Sequence, residues 1–301
     1  MKDTKKKVNL MDKPVFCIFA SFCGPDYLLR SASETIYAHG QGYHIFAVGK
    51  SYRKFVNKNI CKAREAHNLM YKLRYPDVYN IVNAPCGINL ANYSNPKVLK
   101  TSKWYILKTL YRARAFKASK ICFYPGFQAN NDREEAKKCF LNSMAEILEY
   151  IPKEIGILLI FHHRYTNGLG RSLIELKEMI DKINNKRVQI LISIDSLYAN
   201  QYDFNSSTAL VDRLESEIGL DNIYGFIVND TELVNKSLKT YKPRNVGLGE
   251  IGFQKLRDFI YEPRLQDKIF YLKTPKINNK QVYRYEIKML QANKFVPGLY
   301  R

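Results

Sequence analysis

Short apolar, β-branched runs alternate with stretches of helical spacing from one end of the chain to the other. Runs at 15–20, 43–48, 78–83, 120–124, 156–161, 188–194, 224–228 and 268–272 read as strands. Because they are nearly continuous in apolar residues, they predict a parallel sheet covered on both faces. Eight strand–helix units in 301 residues fit a closed (β/α)8 barrel of the TIM type better than an open doubly wound sheet.

The intervening segments carry helix-start signals. Ser94-Asn95-Pro96 offers a cap followed by proline at the first helical position, opening a helix towards Ala118. Asp132 caps a stretch in which Ala136, Phe140, Met144 and Ile147 recur at helical spacing. Ser172 with Glu175 is a capping-box pattern. No Pro/Gly/Ser-rich linker divides the chain, which predicts one domain over 1–301. Within it, 1–13 reads as a basic tail, 14–276 as the barrel, and 277–301 as a last helix with a basic, aromatic end.

Composition adds a charge problem. The formal net charge is +20, a field that favours nucleic acid or an acidic protein as partner. A Lys-, Asn-, Ile- and Tyr-rich composition also follows from an AT-rich genome, viral, parasitic or bacterial. No apolar run approaches the roughly 18 residues of a membrane span. The basic start lacks the apolar segment of a secretory signal, so the expected setting is cytoplasmic, nuclear or virion-associated, not secreted. The cysteines (Cys17, Cys23, Cys61, Cys86, Cys122, Cys139) form no CxxC pair and predict reduced thiols.

Several strand ends carry marked motifs: Ser193-Ile194-Asp195-Ser196-Leu197-Tyr198, Gln201-Tyr202-Asp203, Gly225-Phe226-Ile227-Val228-Asn229-Asp230 and Asn245-Val246-Gly247-Leu248-Gly249. Together they resemble endonuclease IV, the zinc-dependent AP endonuclease family with a xylose isomerase-like barrel that cuts DNA at abasic sites. Fainter matches are Gly87-Ile88-Asn89-Leu90, Phe123-Tyr124-Pro125-Gly126 and Phe46-Ala47-Val48-Gly49-Lys50. They occur in the family's order over roughly residues 15 to 275.

The resemblance implies a trinuclear zinc site at these strand ends, and the matching positions lack its donors. The strand-one histidine corresponds to Phe19, and the one after strand three falls in Asn83-Ala84-Pro85. Tyr124 stands for the histidine of the His-Pro-Gly segment, Phe161 for the strand-five glutamate, Tyr198 for the histidine after Asp195. Ile227 replaces another histidine, Tyr241-Lys242-Pro243 replaces Asp-Arg-His, and Lys273 replaces the strand-eight glutamate. Zinc needs thiolate, imidazole or carboxylate donors, usually four per ion. Asp195 alone supplies no such set, so no metal, no cofactor and no metal-activated water are expected.

What remains reads as structural or as binding chemistry. Asp195, Glu250 and Lys273 are the residual catalytic candidates. The expectation is an ion pair of Asp195 with a nearby cation such as Lys273, with Glu250 capping or orienting the next helix. His162 and His163 are adjacent and point to opposite sides, so only one could join Asp195 at a metal. His39, His44 and His67 are read at helix or loop positions with structural or surface roles. Gly247-Leu248-Gly249-Glu250-Ile251-Gly252 has dinucleotide-fingerprint spacing without the required context, and is read as a tight barrel loop.

Three basic loops with interleaved aromatics are placed on one rim: Lys50, Tyr52, Arg53, Lys54 and Lys58; Arg164, Tyr165 and Arg171; Lys239, Tyr241, Lys242 and Arg244. Cations neutralise phosphates and rings stack on bases. The leading expectation is a catalytically inactive endonuclease IV-like barrel that binds nucleic acid, DNA before RNA, or serves a nucleoprotein assembly. The rivals are a nuclease or lyase with altered chemistry, using Lys273 as an amine nucleophile, and a structural or virion assembly subunit. Lys97, Lys100, Lys103 and Lys108 are read as a solvated helix face.

Overall fold

The computed structural model describes residues 13–24, 26–46, 48, 62–161, 167–235 and 240–300. The strands β1 (Val15–Phe19), β2 (Tyr43–Phe46), β3 (Ile81–Asn83), β4 (Lys120–Phe123), β5 (Gly156–Phe161), β6 (Val188–Ser193), β7 (Ile223–Val228) and β10 (Ile269–Leu272) close into a parallel barrel in that order. The closing pair sets Val15 against Ile269 and Ile18 against Leu272. All eight expected runs are barrel strands. Residues 78 and 79, expected at the start of the third, belong instead to a short 3-10 turn (Asp77–Tyr79), and Lys268 precedes its strand.

The alternation of side chains sorts each strand into two cores. Cys17, Cys122, Leu158, Ile160, Leu191, Ile227 and Tyr271 fill the barrel interior. Phe16, Ile18, Phe123, Phe161, Phe226, Phe270 and Leu272 point outward against the helices. Phe226 stacks on Phe270 at 5.6 Å between ring centroids. The interior is therefore a packed core rather than a channel.

The outer layer holds α1 (Tyr27–Tyr37), α2 (Ala63–Lys72), α3 (Pro96–Ala115), α4 (Arg133–Tyr150), α5 (Leu173–Ile183), α6 (Ile194–Ala199), α7 (Ser207–Glu217), α8 (Phe253–Ile260) and α9 (Tyr283–Ala292). Their starts follow the expected chemistry. Asn95 accepts from the Val98 N–H ahead of Pro96, Asp132 accepts from Glu134 and Glu135, and Ser172 accepts from Glu175. The capping box at Ser172 is only half made. The Glu175 carboxylate turns to the N–H groups of Gly170 and Arg171 and to the Arg133 guanidinium, which ties α4 to α5.

One element is a correction. The segment through Tyr241, Lys242 and Arg244, expected as a basic loop, is the strand β9 (Thr240–Arg244). It pairs antiparallel with β8 (Asp230–Asn235) in a separate two-stranded ribbon on the barrel rim. The glycine-rich 247–252 stretch is the loop between this ribbon and α8, as expected. Among the described residues no helix is long and apolar enough to cross a membrane.

Candidate functional site

The C-terminal ends of the strands converge on a mouth floored by rings. Phe19, at the end of β1, meets His44 edge-on at 4.8 Å and Phe46 at 5.5 Å. His44 in turn lies 5.8 Å from the Tyr271 ring. Lys273 follows β10 and sets its Nζ 4.7 Å from the centre of the Phe19 ring, a cation–π contact. A positive charge thus stands at the mouth, at the position matched to the strand-eight glutamate.

Beneath it lies a neutral polar triad. His44 is 1% exposed, and its Nε2 lies 3.1 Å from Asn83 Oδ1 and 3.3 Å from Cys122 Sγ. The Cys122 thiol donates to the same Asn83 oxygen at 3.2 Å, and Asn83 Nδ2 donates to the Ala84 carbonyl. Burial, helped by the Lys273 charge, pushes the His44 imidazole down to about 3, against a smaller opposing effect of Asn83. Burial likewise pushes the Cys122 thiol well up, which the Lys273 charge only partly offsets. The imidazole is neutral and donates from Nε2, leaving Nδ1 without a hydrogen-bond partner. The helix-or-loop reading of His44 is corrected here, since it is an inward residue of β2. Its place in an alternating strand was the available signal. His39 is exposed after α1 and His67 lies half-buried on α2.

Asp195 lies in the first turn of α6, which follows β6 directly. Its carboxylate accepts from the Ser193 hydroxyl and, at 3.3 Å, from Ser196, while its N–H donates to Asn229 Oδ1. Tyr198 on the same helix donates to Glu250 Oε2 at 3.1 Å and meets the Tyr241 ring edge-on at 5.9 Å. Glu250 also accepts from the Leu233 N–H. It braces the ribbon against α6. The expected capping of α8 by Glu250 is corrected, because that helix has Gly252 at its N-cap and no side-chain cap.

The organising carboxylate of this rim is one that sequence reasoning missed. Asp230 is fully buried and accepts from the N–H groups of Thr231, Gly249, Ile251 and Gly252. Burial raises its pKa although those four donors oppose the shift. Gly249 must be glycine, since a Cβ there would stand 2.4 Å from the Thr231 carbonyl. The signal was present: a tight glycine-rich loop exposes backbone N–H groups that need an acceptor.

The site residues expected at the strand ends divide sharply. Lys50, Tyr52, Arg53, Lys54, Lys58, Arg164, Tyr165 and Lys239 lie outside the described residues, as do His162 and His163. Arg171 is exposed just before α5, on a polar cleft of about 710 Å³ shared with Gln128, Arg133, Lys137 and Asn200. Lys242 is exposed on β9, whereas Arg244 is paired with Glu232 across the ribbon, whose carboxylate offsets its charge. Tyr241 and Tyr198 are brought together, and the Lys273 charge acts on His44 and Cys122.

Donor chemistry at the mouth does not fit a trinuclear zinc cluster. Phe161, matched to the strand-five glutamate, points outward, and the inward neighbour is Ile160, equally without a donor. Ile227 faces inward and Tyr124 packs against the interior core. Among the described residues no three His, Cys, Asp or Glu side chains are grouped to hold a metal ion.

The comparisons bear on this arrangement. Residues 42–293 match the model of the family described as xylose isomerase-like TIM barrel. The probable endonuclease 4 of Bacillus subtilis (strain 168) is 26% identical over 281 residues, covering 89% of this chain and 92% of that protein. The probable endonuclease 4 of Ureaplasma urealyticum serovar 10 is 28% identical over 249 residues, covering 80% and 81%. Among solved structures, endonuclease IV from Thermus thermophilus superposes with a TM-score of 0.73 at 18% identity, over 93% of this chain and 98% of that one. A D-tagatose 3-epimerase-like protein follows the same fold at TM-score 0.68 and 17% identity, over 92% and 96%.

Proposed function

Since the chain belongs to the xylose isomerase-like TIM barrel family and its curated relatives carry the name endonuclease 4, we propose that it is a nucleic-acid-binding barrel that has given up metal-dependent hydrolysis. One observation carries this reading. The inward strand-end positions hold Phe19, Ile160, Ile227 and Lys273 in place of donors, and an ammonium occupies the mouth. A phosphate is attracted by Lys273, and by Lys242 and Arg171 on the rim, without any bound cation. Tyr198 and Tyr241 present rings beside it. The +20 charge supplies the long-range attraction. DNA is the preferred partner because the strand ends resemble endonuclease IV, a family that cuts DNA.

The test is binding and incision of one labelled duplex, intact or abasic, with zinc added or chelated. The reading predicts retardation that weakens with salt, the logarithm of affinity falling linearly with the logarithm of salt concentration. It predicts no strand cleavage under any condition. Zinc-dependent incision at the abasic site overturns it. A second reading has a specific observation behind it, the Lys273 amine at the mouth. Such an amine can form a Schiff base with an abasic aldehyde. Borohydride trapping of a covalent complex that disappears in Lys273→Ala would replace the binding reading with this one.

A further inference from the structure

The barrel flank carries a surface that the mouth does not explain. On α3 the exposed side chains follow one stripe: Lys97, Lys100, Trp104, Leu107, Lys108 and Tyr111. Trp104 is 48%, Leu107 38% and Tyr111 55% exposed, on a helix whose opposite face is fully occupied by Ile106, Leu110 and Ala113 in the core. Lys108 lies 5.5 Å from the Trp104 ring centre. The helix has no acidic residue in its length. Glu146 reaches it from α4, but that carboxylate is taken by Lys103 at the stripe's inner edge. Lysines alone make a solvated face; a tryptophan, a leucine and a tyrosine in register among them do not.

We propose that this face of α3 docks an acidic protein segment, an amphipathic one whose apolar side chains cover Trp104, Leu107 and Tyr111 while its carboxylates meet Lys97, Lys100 and Lys108. Trp and Tyr are among the residue types that dominate binding energy at interfaces, and an amphipathic segment laid along a helix reads anchors at this spacing. A second copy of the chain is disfavoured, because a symmetric contact sets the same lysines against themselves. Nucleic acid is disfavoured by Leu107 at the centre of the stripe, which offers a base neither a ring nor a charge.

Trp104 is the chain's single tryptophan, so its fluorescence reads this face alone in the full-length protein. Three probes separate the occupants: a synthetic helix with Leu and Phe on one side and Glu on the other, an oligoglutamate of equal charge, and oligo-dT. The amphipathic acidic peptide is expected to shift Trp104 emission to the blue and to lower its quenching by acrylamide, with the other two leaving both nearly unchanged. Leu107→Glu and Lys108→Glu should each weaken the peptide by about tenfold, and Lys255→Glu on α8 should not; melting temperatures close to the parent's establish that the variants fold. The proposal is overturned if the peptide leaves Trp104 unaffected, if oligo-dT protects it as well or better, or if the blue shift appears with protein concentration alone, the mark of self-association.

Discussion

Asp230 and His44 are both essentially without solvent contact at the mouth end of the barrel, and the fold treats them in opposite ways. Around Asp230 the chain supplies four backbone donors to one carboxylate, so a charge can be kept where water cannot reach. Around His44 it supplies rings, one amide and one thiol, and places Lys273 nearby, so the imidazole stays neutral. The first region is scaffold: it fixes the glycine loop and the ribbon. The second is a ring-lined floor at the mouth, the region on which the proposed loss of metal chemistry rests. The same end of one barrel thus holds a charge-supporting loop network and, beside it, an apolar, ring-lined floor.

The largest expected effect is at the scaffold. Asp230→Ala leaves four N–H groups, those of Thr231 and Ile251 buried and those of Gly249 and Gly252 partly so, without their acceptor, a loss of about 3–5 kcal/mol by analogy with a broken buried charged network. Urea denaturation measures it; a loss below about 1 kcal/mol would mean the loop repairs itself and the contrast with the mouth is false.

The two regions should next differ in the sign of their pH response. The folded His44 value lies below the ordinary 6.5, so the unfolded chain takes the proton first. Stability therefore falls as pH drops from 6.5 towards 3, by up to about 1.4 kcal/mol per pH unit for this one group. Asp230 and the buried Glu286 are raised above 3.8 and 4.5, burial being the main cause in each. There the folded chain takes the proton first, and acidification down through their raised values towards 4 adds stability. His44→Gln should flatten the fall between pH 6.5 and 4; an unchanged slope in denaturation across that range contradicts the assignment.

Smaller effects sharpen the comparison further. Arg133→Ala removes the partner of Glu175. Burial pushes that carboxylate up, but Arg133 and the Arg171 N–H outweigh it and hold it below its ordinary value. With Arg133 partly exposed, a loss of about 1–2 kcal/mol is expected by denaturation at neutral pH, shrinking as Glu175 protonates in acid. Tyr198→Phe deletes the bond to Glu250 at the ribbon, costing about 0.5–1.5 kcal/mol and leaving the mouth's His44 response untouched.

Much of this was legible in the chain. The eight barrel strands announced themselves because both faces of a parallel sheet are covered, which makes each run apolar throughout. Asn95, Asp132 and Ser172 gave away helix starts because few residue types accept from the first-turn N–H groups. The β8–β9 ribbon was hidden for the converse reason: beyond the buried Asp230 and Thr231 its strands are half-buried to exposed, carry Glu232, Lys242 and Pro243, and show no apolar alternation. Glu250 drew attention by its place in the glycine motif, yet the carboxylate that holds the loop is Asp230, which only three-dimensional closure brings to it. Sequence alone does not say which of two neighbours faces inward, and at the end of β5 it is Ile160 rather than Phe161.

Zinc binding by the purified, chelator-treated chain tests the central claim most directly. Calorimetric titration with zinc, followed by metal analysis after dialysis, should show no tight uptake and far less than one ion retained per chain. Stoichiometric retention of zinc that is lost on Asp195→Ala would contradict the account.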